Sequence, residues 1–468
     1  MRRFLAVLLL PTIAFAGQAA PDPMITKIIA EGKNNNQTMK HLWWLTQKIG
    51  ARLTGSPRLT KAEHWGVEMF TKFGLKNVHL EEWGQAPVGF DRGEHSYGRL
   101  VGPEKREFEV TTDAWMNGTS GPVRGPAIPA PTTMEEYERA KDKLKGAWLV
   151  YPNPVYSARI HGGEPADVAK LIDEAGIAGR VFGSSNESVH TDGRWRKNTY
   201  EHHEGAVSVL VRKSDMKAIQ QDFTAGKTPV LEFNLENIWS PGPVPVHNVV
   251  AEIPGTEKPD EVVIVSGHLD SWNGYGSQGA QDNGVGTCTA LEAARILSAV
   301  HAKPKRTIRF ILWTGEEQGL FGSVAYCKQH KDEMPKISAV LVDDGGTNYQ
   351  GGYTGPEIYK SMFESAYAPV VAAFPDMPEQ YKVVKSIRRQ EGGSDHAPFW
   401  VYDVPSFFTI ETGKSNYGLV HHTQMDRLET CVPAYLVQSS TNHAVVAYTI
   451  ANLPNLLPRP STAEPKKN

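Results

Sequence analysis

Residues 247–345 alternate between strand-like and helix-like patterns: HNVVAEI (247–253), EVVIVSG (261–267), TCTALEAARILSAV (287–300), RTIRFILWTG (306–315), GLFGSVAYCKQHKDEM (319–334) and ISAVLVDDG (337–345). The short apolar runs predict buried strands, and the longer runs between them predict helices. Strand and helix in turn predict an α/β fold, in which helices cover both faces of a mostly parallel mixed sheet. Ligands of such sheets bind where the strands end, so the residues that follow each strand are the candidates for function.

The composition of the chain changes twice upstream of this stretch. Proline and glycine become dense through GTSGPVRGPAIPAPTT (118–133), and a second change follows near Trp239. Strand and helix patterns between these points suffice for a small domain of its own. We therefore predict a main domain built from residues 21–118 and 244–458, an inserted domain at 119–243, and a disordered Pro-rich tail at 459–468.

The first twenty residues, MRRFLAVLLLPTIAFAGQAA, have the pattern of a signal peptide. Two arginines precede a short apolar run, and Ala14-Phe15-Ala16 resembles a cleavage site. The apolar run is well below the roughly 20 residues that span a bilayer. We therefore predict a secreted or periplasmic protein with no stable membrane insertion after the signal peptide is removed.

Charge and cysteine content exclude several classes of protein. Lys and Arg number 49 against 52 Asp and Glu, which gives no basic footprint for nucleic acid. Three cysteines are too few for a disulfide scaffold or for a structural zinc site built on cysteine. Any metal site must therefore use His, Asp and Glu.

Polar residues follow each predicted strand of the main domain. His268 and Asp270 come after EVVIVSG, where Asp270 lies near enough to orient the His268 ring as a carboxylate behind a metal ligand does. Asp282 stands before the next helix, although an aspartate there is also typical of a helix cap. A lone histidine after a strand is, similarly, more often a surface residue than a ligand.

Adjacent carboxylates end the next two strands. Glu316 and Glu317 follow RTIRFILWTG, and because adjacent side chains diverge at a strand end, one can bind a metal while the other faces a water as general base. Asp343 and Asp344 follow ISAVLV in the same way. A later loop, TGKSNYGLVHHTQMD (412–426), adds two histidines and an aspartate.

These coincidences together predict a metal site. Carboxylates and imidazoles without thiolates suit zinc or a similar divalent ion, and a shared carboxylate can bridge two ions about 4 Å apart. The pattern therefore indicates a hydrolase with two metal ions.

Seven segments resemble the zinc aminopeptidase and glutamate carboxypeptidase family, in its carboxypeptidase Q branch. They are IGARLTGSP, SGHLDSW, GAQDNGVG, LWTGEEQGLFGS, VDDGG, SDHAPFW and HHTQMD, and they occur in family order. The resemblance covers nearly the whole chain after the signal peptide. It also implies that residues 119–243 are a protease-associated domain, on the weaker similarity of KLKGAWLV and DEAGIAGRVF.

The resemblance assigns roles to individual residues. It implies two Zn²⁺ ions per chain, held by His268, Asp282, Glu317, Asp344 and His422, with Asp282 as the bridge. It also implies Glu316 as the general base and Asp270 as the carboxylate behind His268. His422 is preferred to His421 because the family places the ligand directly before Thr or Ser.

One position departs from the family pattern. Simple aminopeptidases of the family carry a Tyr shortly before the SDH motif, where it polarises the scissile carbonyl, and this chain has Glu391 there. We therefore expect His396 or another donor to stabilise the oxyanion, and we expect His396 and Asp395 to contact the substrate.

The predicted function is that of a secreted di-zinc metallo-exopeptidase that hydrolyses dipeptides or short peptides with a free amino terminus. The alternative is an aminoacyltransferase similar to glutaminyl cyclase, which uses a single zinc; the complete set of five ligands argues against it. A serine hydrolase is disfavoured, because Ser394, Asp395 and His396 are adjacent in sequence and cannot readily converge as a triad. The expected partners are peptides, and a homodimer is compatible with the sequence.

Overall fold

The computed structural model describes residues 22–102, 105–158, 161–195, 198–203, 205–384 and 393–460. The predicted signal peptide at 1–20, the tail beyond residue 460 and Glu391 lie outside these ranges. Among the described residues, no helix is both long enough and apolar enough to cross a membrane.

Twelve α-helices and eighteen strands make up the described part of the chain. The helices are α1 (Pro23–Asn34), α2 (Thr38–Trp44), α3 (Pro57–Lys72), α4 (Met134–Ala140), α5 (Ala166–Glu174), α6 (Lys213–Thr224), α7 (Val285–Ala299), α8 (Phe321–Gln329), α9 (Lys360–Ala373), α10 (Ala397–Trp400), α11 (Tyr417–Val420) and α12 (Pro433–Ala451). The strands are β1 (Lys76–Ala86), β2 (Gly89–Arg92), β3 (Tyr97–Gly102), β4 (Arg106–Phe108), β5 (Val110–Thr111), β6 (Val123–Pro129), β7 (Trp148–Val150), β8 (Gly179–Gly183), β9 (Ser208–Val211), β10 (Val230–Asn234), β11 (Asn237–Ser240), β12 (Val244–Ile253), β13 (Lys258–His268), β14 (Arg306–Trp313), β15 (Ile337–Val342), β16 (Tyr349–Gly355), β17 (Lys382–Val383) and β18 (Ser406–Thr412).

The first sheet has the strand order β1-β12-β14-β13-β15-β18-β16-β17. Its centre is parallel, since β13 pairs with both β14 and β15, and β15 pairs with β18 in the same direction. The pairings of β12 with β1 and β14 are antiparallel. This mixed sheet confirms the α/β fold predicted from the sequence.

Alternate residues of β13 pack on opposite faces of the first sheet. Val263 and Val265 belong to a core shared with α7 and α12. Ile264 belongs to a separate core on the other face, with Trp313 of β14 and Tyr326 of α8. Because both faces are covered by helices, the strand is apolar at successive positions, as its sequence indicated.

The second sheet, which we define by its strands at residues 97–234, has the order β4-β3-β10-β6-β7-β8-β9-β5. Its core contains Trp148, whose ring centroid lies 4.6 Å from that of Phe233. Strands β3, β4 and β5 all precede residue 119, so the boundary predicted there falls inside this sheet. The antiparallel pair of β2 and β11 joins the segments that enter and leave it.

Candidate metal centre

The parallel strands of the first sheet end at one edge. His268, the last residue of β13, is paired directly with Trp313, the last residue of β14. Glu316 and Glu317 follow β14 within four residues, and Asp344 follows the end of β15 within two. The register of the strands therefore brings these side chains to the same place, as the sequence predicted.

One group of candidate ligands surrounds the ring of His268. Its Nε2 atom lies 3.1 Å from Oδ1 of Asp344 and 3.5 Å from Oδ1 of Asp282. Oε2 of Glu316 lies 3.9 Å from the same nitrogen. His268, Glu316 and Asp344 thus present ligand atoms that all lie within 4.8 Å of one another.

A second group surrounds the ring of His422. Its Nε2 atom lies 3.1 Å from Oε2 of Glu317 and 3.4 Å from Oδ2 of Asp282. The neighbouring His421 stacks on this ring at 3.7 Å between centroids, and its Nε2 atom lies 3.9 Å from Asp282. His421 is also the more exposed ring, at 43% against 22%. The geometry therefore favours His422 over His421 in this group.

Asp282 stands between the two groups. Its Oδ1 atom faces His268 while its Oδ2 atom faces His422, and in the described part of the chain the buried Oδ2 has no hydrogen-bond partner. The backbone N–H groups of Gln281 and Asp282 point to the carboxylate of Asp426, which holds this turn in place. A buried carboxylate oxygen without a donor is costly unless a cation satisfies it, so the arrangement fits a metal on each side of Asp282.

Asp270 contacts residues of both groups. Its backbone carbonyl lies 3.0 Å from Nδ1 of His268, and its Oδ1 atom lies 3.7 Å from that nitrogen. The same carboxylate accepts from the N–H groups of Glu316 and Glu317, and from the hydroxyl of Thr54 at 2.7 Å. The residue therefore fixes the His268 ring and the two-glutamate loop together.

The electrostatics of the cluster fit a cation. Burial raises the pKa of Glu316 well above its usual range, and Asp344 adds to the effect although His268 opposes it. Burial and the nearby Asp282 likewise raise the pKa of Glu317. Burial disfavours the charged His268 ring, but Asp344 and Glu316 outweigh it and raise the pKa of His268. The negative charge of these buried carboxylates is larger than the positive charge that the histidine rings can supply. A bound divalent cation would balance the excess.

The sequence of this chain is similar to those of known peptidases. Residues 248–447 match the model of Peptidase family M28. The chain is 30% identical to carboxypeptidase Q of Xenopus laevis over 450 residues, which cover 93% of this chain and 90% of the relative. The chain belongs to peptidase family M28. Its place within the family is the carboxypeptidase Q branch, and the protein is a metallopeptidase.

Solved M28 structures share the fold. The peptidase M28 precursor of Shewanella amazonensis superposes with a TM-score of 0.66 at 23% identity, over 94% of this chain and 98% of that one. BSAP, a zinc aminopeptidase from Bacillus subtilis, superposes with a TM-score of 0.54 at 19% identity, over 88% of this chain and 93% of that one. These two structures thus share the overall fold of this chain.

The two residues expected to contact the substrate occupy different places in this M28 fold. Asp395 is buried behind the cluster, where its Oδ1 atom accepts from the hydroxyl of Ser323 at 2.5 Å. Burial raises the pKa of Asp395 to about 7. His396 packs on the ring of Phe408, at 5.2 Å between centroids, and its buried Nδ1 atom has no hydrogen-bond partner among the described residues. Neither residue lines the cleft beside the candidate metal ligands, so their role in binding substrate stays a prediction.

The cleft above the cluster has a volume of about 630 Å³. Some of the residues that line it were not predicted from the sequence. Asp192, Gly193 and Arg194, which lie between β8 and β9 of the second sheet, line it together with Tyr417. The N–H of Thr191 donates to the backbone oxygen of His422 at 2.8 Å and ties this segment to the ligand loop. No motif marks this segment, because its position depends on contacts more than 200 residues apart in sequence.

A further histidine reaches the cluster from the same segment. The His190 ring lies 5.2 Å from that of His422 between centroids and hydrogen-bonds to the hydroxyl of Tyr156. His190, His421 and His422 have ligand atoms within 4.8 Å of one another. Burial lowers the pKa of His190 to about 3, which leaves a neutral ring beside the ligands. The sequence offered no signal for it, since it follows no catalytic strand.

Proposed function

We propose that the protein is a secreted or periplasmic di-zinc exopeptidase that removes single residues from dipeptides or short peptides with a free amino terminus. The position of Asp282, with one carboxylate oxygen facing each histidine, carries this proposal. His268 and Asp344 would hold one zinc ion, Glu317 and His422 would hold the other, and Asp282 would be shared between them. The printed name of the Bacillus subtilis neighbour, a zinc aminopeptidase, supports the choice of metal.

Bound zinc would polarise the scissile carbonyl and lower the pKa of the attacking water. Glu316 is the base that takes the proton of this water, since its carboxylate lines the cleft and lies at the edge of the His268 group. The same carboxyl then gives the proton to the leaving amine. Asp270 holds the Glu316 backbone and the His268 ring in place during both transfers.

The cleft supports a short substrate. Its volume of about 630 Å³ suits a ligand of a few residues rather than a folded chain. Carboxylates dominate its floor and would attract the positive amino terminus of a peptide. The relatives' names, carboxypeptidase Q and aminopeptidase, both describe removal of terminal residues.

The position of the second sheet supports a role for it in controlling the access of peptides to the cleft. We propose that residues 97–234 form the inserted protease-associated domain, which is larger at its amino-terminal end than the predicted 119–243. Its segment 192–194 lines one wall of the cleft, so it would limit the length of peptide that reaches the metals. N-terminal sequencing of protein exported by a bacterial host would check the signal peptide proposed at residues 1–20.

Zinc content per chain, measured together with hydrolysis of a dipeptide panel, tests the proposal. The panel contains each dipeptide with a free and with an acetylated amino terminus, before and after chelation. We expect two zinc ions and chelator-sensitive cleavage of the free-amino substrates alone. One zinc ion with cyclisation of amino-terminal Gln peptides would instead establish the transferase, and cleavage of acetylated substrates at equal rates would contradict the requirement for a free amine.

A further inference from the structure

Gln424 belongs to the HHTQMD motif (421–426) that carries the candidate ligand His422, but the proposed chemistry gives it no role. Its side chain is only 3% exposed, although it lies in the loop after α11 and not inside a helix or strand. Loops ordinarily lie at the surface, and a buried amide side chain needs a hydrogen-bond partner. The partner of Gln424 therefore bears on how this loop is held.

The segment that Gln424 contacts comes from the second sheet. The backbone N–H of Val189, a fully buried residue, donates to Oε1 of Gln424 at 2.9 Å. Two positions later, the N–H of Thr191 donates to the backbone oxygen of His422 at 2.8 Å. An antiparallel bridge joins the two residues that lie between these contacts, His190 and Thr423. Residues 189–191 thus run alongside residues 422–424, and the Gln424 side chain closes one end of this contact.

The backbone of His422 has a conformation that few side chains adopt. Its φ angle is +59°, in the left-handed region, where the Cβ atom crowds the backbone. A residue keeps such a conformation only when its surroundings hold it there. The bonds from Thr191 to the His422 carbonyl and from Val189 to Gln424 fix the chain on the carboxyl side of His422.

This backbone conformation also decides where the His422 ring lies. For His268, the backbone oxygen of Asp270 lies 3.0 Å from Nδ1 and fixes the ring. For His422, no hydrogen bond to Nδ1 is found in the described part of the chain, and the ring instead packs edge-on against Trp272 at 5.8 Å between centroids. The direction in which its Nε2 atom points, toward Glu317, therefore depends on the loop backbone.

We propose that Gln424 is a positioning residue for His422. By accepting from the Val189 N–H, it fastens the second sheet to the ligand loop and holds His422 in the conformation that presents Nε2 to a metal. The inference rests on the proposed function, in which His422 holds a zinc ion. Because coupling between two sites is reciprocal, zinc at His422 would also stabilise the contact between 189–191 and 422–424.

Competition of each protein with a chelating dye, which measures the affinity for each zinc ion, tests the proposal. Gln424→Met keeps the length and packing of the side chain but removes the acceptor. It should bind one of its two zinc ions about 10–100-fold more weakly than the wild type does, as is typical when a group that orients a ligand is lost. Gln424→Glu keeps an acceptor oxygen and should recover most of the affinity.

The Co²⁺-substituted proteins give a second readout, since their visible spectrum reports the geometry of the ligands around the ion. The spectrum should change in Gln424→Met and stay close to that of the wild type in Gln424→Glu. Hydrogen exchange of peptides that cover residues 186–195 gives a third. Zinc should slow this exchange in the wild type and do so much less in Gln424→Met.

The matched control is Asn234→Leu. Asn234 ends β10, is 8% exposed, and donates from its side-chain amide to the backbone oxygen of His95 at 2.8 Å. This variant therefore also loses a buried hydrogen bond of the second sheet, but outside the contact with the ligand loop. Its unfolding temperature should fall, whereas its affinity for both zinc ions should equal that of the wild type.

Unchanged zinc affinity in Gln424→Met would overturn the inference. Equal weakening in Asn234→Leu would overturn it as well, because a general loss of stability would then explain the effect. Failure of Gln424→Glu to bind zinc better than Gln424→Met would show that the acceptor oxygen is not what matters. A wild-type protein that binds fewer than two zinc ions would instead contradict the proposed function, and this inference with it.

Discussion

Both sheets of the molecule contain a run of parallel strands, but among the described residues only the first has a cluster of candidate metal ligands at its strand ends. In the first sheet, the residues after β13, β14 and β15 include His268, Glu316 and Asp344. In the second sheet, β6, β7, β8 and β9 are also parallel neighbours. They are followed by AP (130–131), YP (151–152), SS (184–185) and RK (212–213).

The difference shows that the backbone arrangement sets the positions at the strand ends, whereas the sequence sets which side chains stand there. Both arrays bring the ends of their parallel strands together, and the side chains found there decide which one can hold a metal. The second sheet acts on the same cleft by another route, through the segment 190–194 that extends from it to His422. In the proposed function the first sheet supplies the chemistry, and the second supplies part of the wall of the cleft.

The largest expected effect comes from the Glu316→Gln variant. Glutamine cannot take the proton of the attacking water, so turnover should fall by about 10²–10⁴-fold or more while zinc content stays at the wild-type value. The control is Glu357→Gln, which changes an exposed glutamate just before α9 and should keep full turnover. Unchanged turnover in Glu316→Gln would remove this residue from the role of base.

The next effect distinguishes the two adjacent histidines. His422→Ala should lose about one zinc ion per chain and most of the activity, because it removes a ligand that faces both Glu317 and Asp282. His421→Ala should keep both ions, since its ring is more exposed and farther from Asp282. Metal analysis after dialysis measures the difference. Loss of zinc in His421→Ala alone would reverse the assignment.

A smaller effect tests the contribution of the second sheet. Asp192→Asn and Arg194→Gln change charges that line the cleft without touching the metal ligands. We expect KM for dipeptides to change by up to about tenfold while kcat stays within about twofold, because binding and not proton transfer is altered. Steady-state kinetics with the wild type as reference provides the measurement. A fall in kcat matching that of Glu316→Gln would show that the second sheet takes part in the chemistry.

The smallest effect concerns stability of the first sheet away from its strand ends. His330 joins α8 to β1 through Glu81 at 2.9 Å and also contacts Glu333, and the bond to Glu81 raises the pKa of His330 despite partial burial. A raised pKa in the folded state stabilises the protein below the unfolded value of about 6.5, and this stability is lost as pH rises through the folded value.

The His330→Gln variant should therefore lose about 1 kcal/mol of unfolding free energy at pH 5.5 and almost none at pH 9. Urea unfolding at the two pH values measures the difference, and zinc content should not change. An equal loss at both pH values would mean that packing on Tyr326, whose ring centroid lies 4.2 Å away, matters more than charge.

Much of the first sheet was predictable because its signals are local. The run from 261 to 267 is apolar at successive positions, which indicates a strand buried on both faces, and His268 follows it directly. The same holds for Glu316 after β14 and Asp344 after β15. The second sheet was harder to delimit, because β3 pairs with β10, which lies about 130 residues later in the chain. The composition change near residue 118 marks a loop within that sheet and not its edge.

The sequence by itself determined the α/β class, the strands and the residue types at their ends, because periodicity and apolar runs act over a few residues. Tertiary structure alone decided that Asp282 divides its two oxygens between His268 and His422, since His422 lies 140 positions away from it along the chain. It also decided that residues 192–194, from the second sheet, line the cleft beside these residues. Such distances depend on the packing of whole elements, which no local pattern encodes.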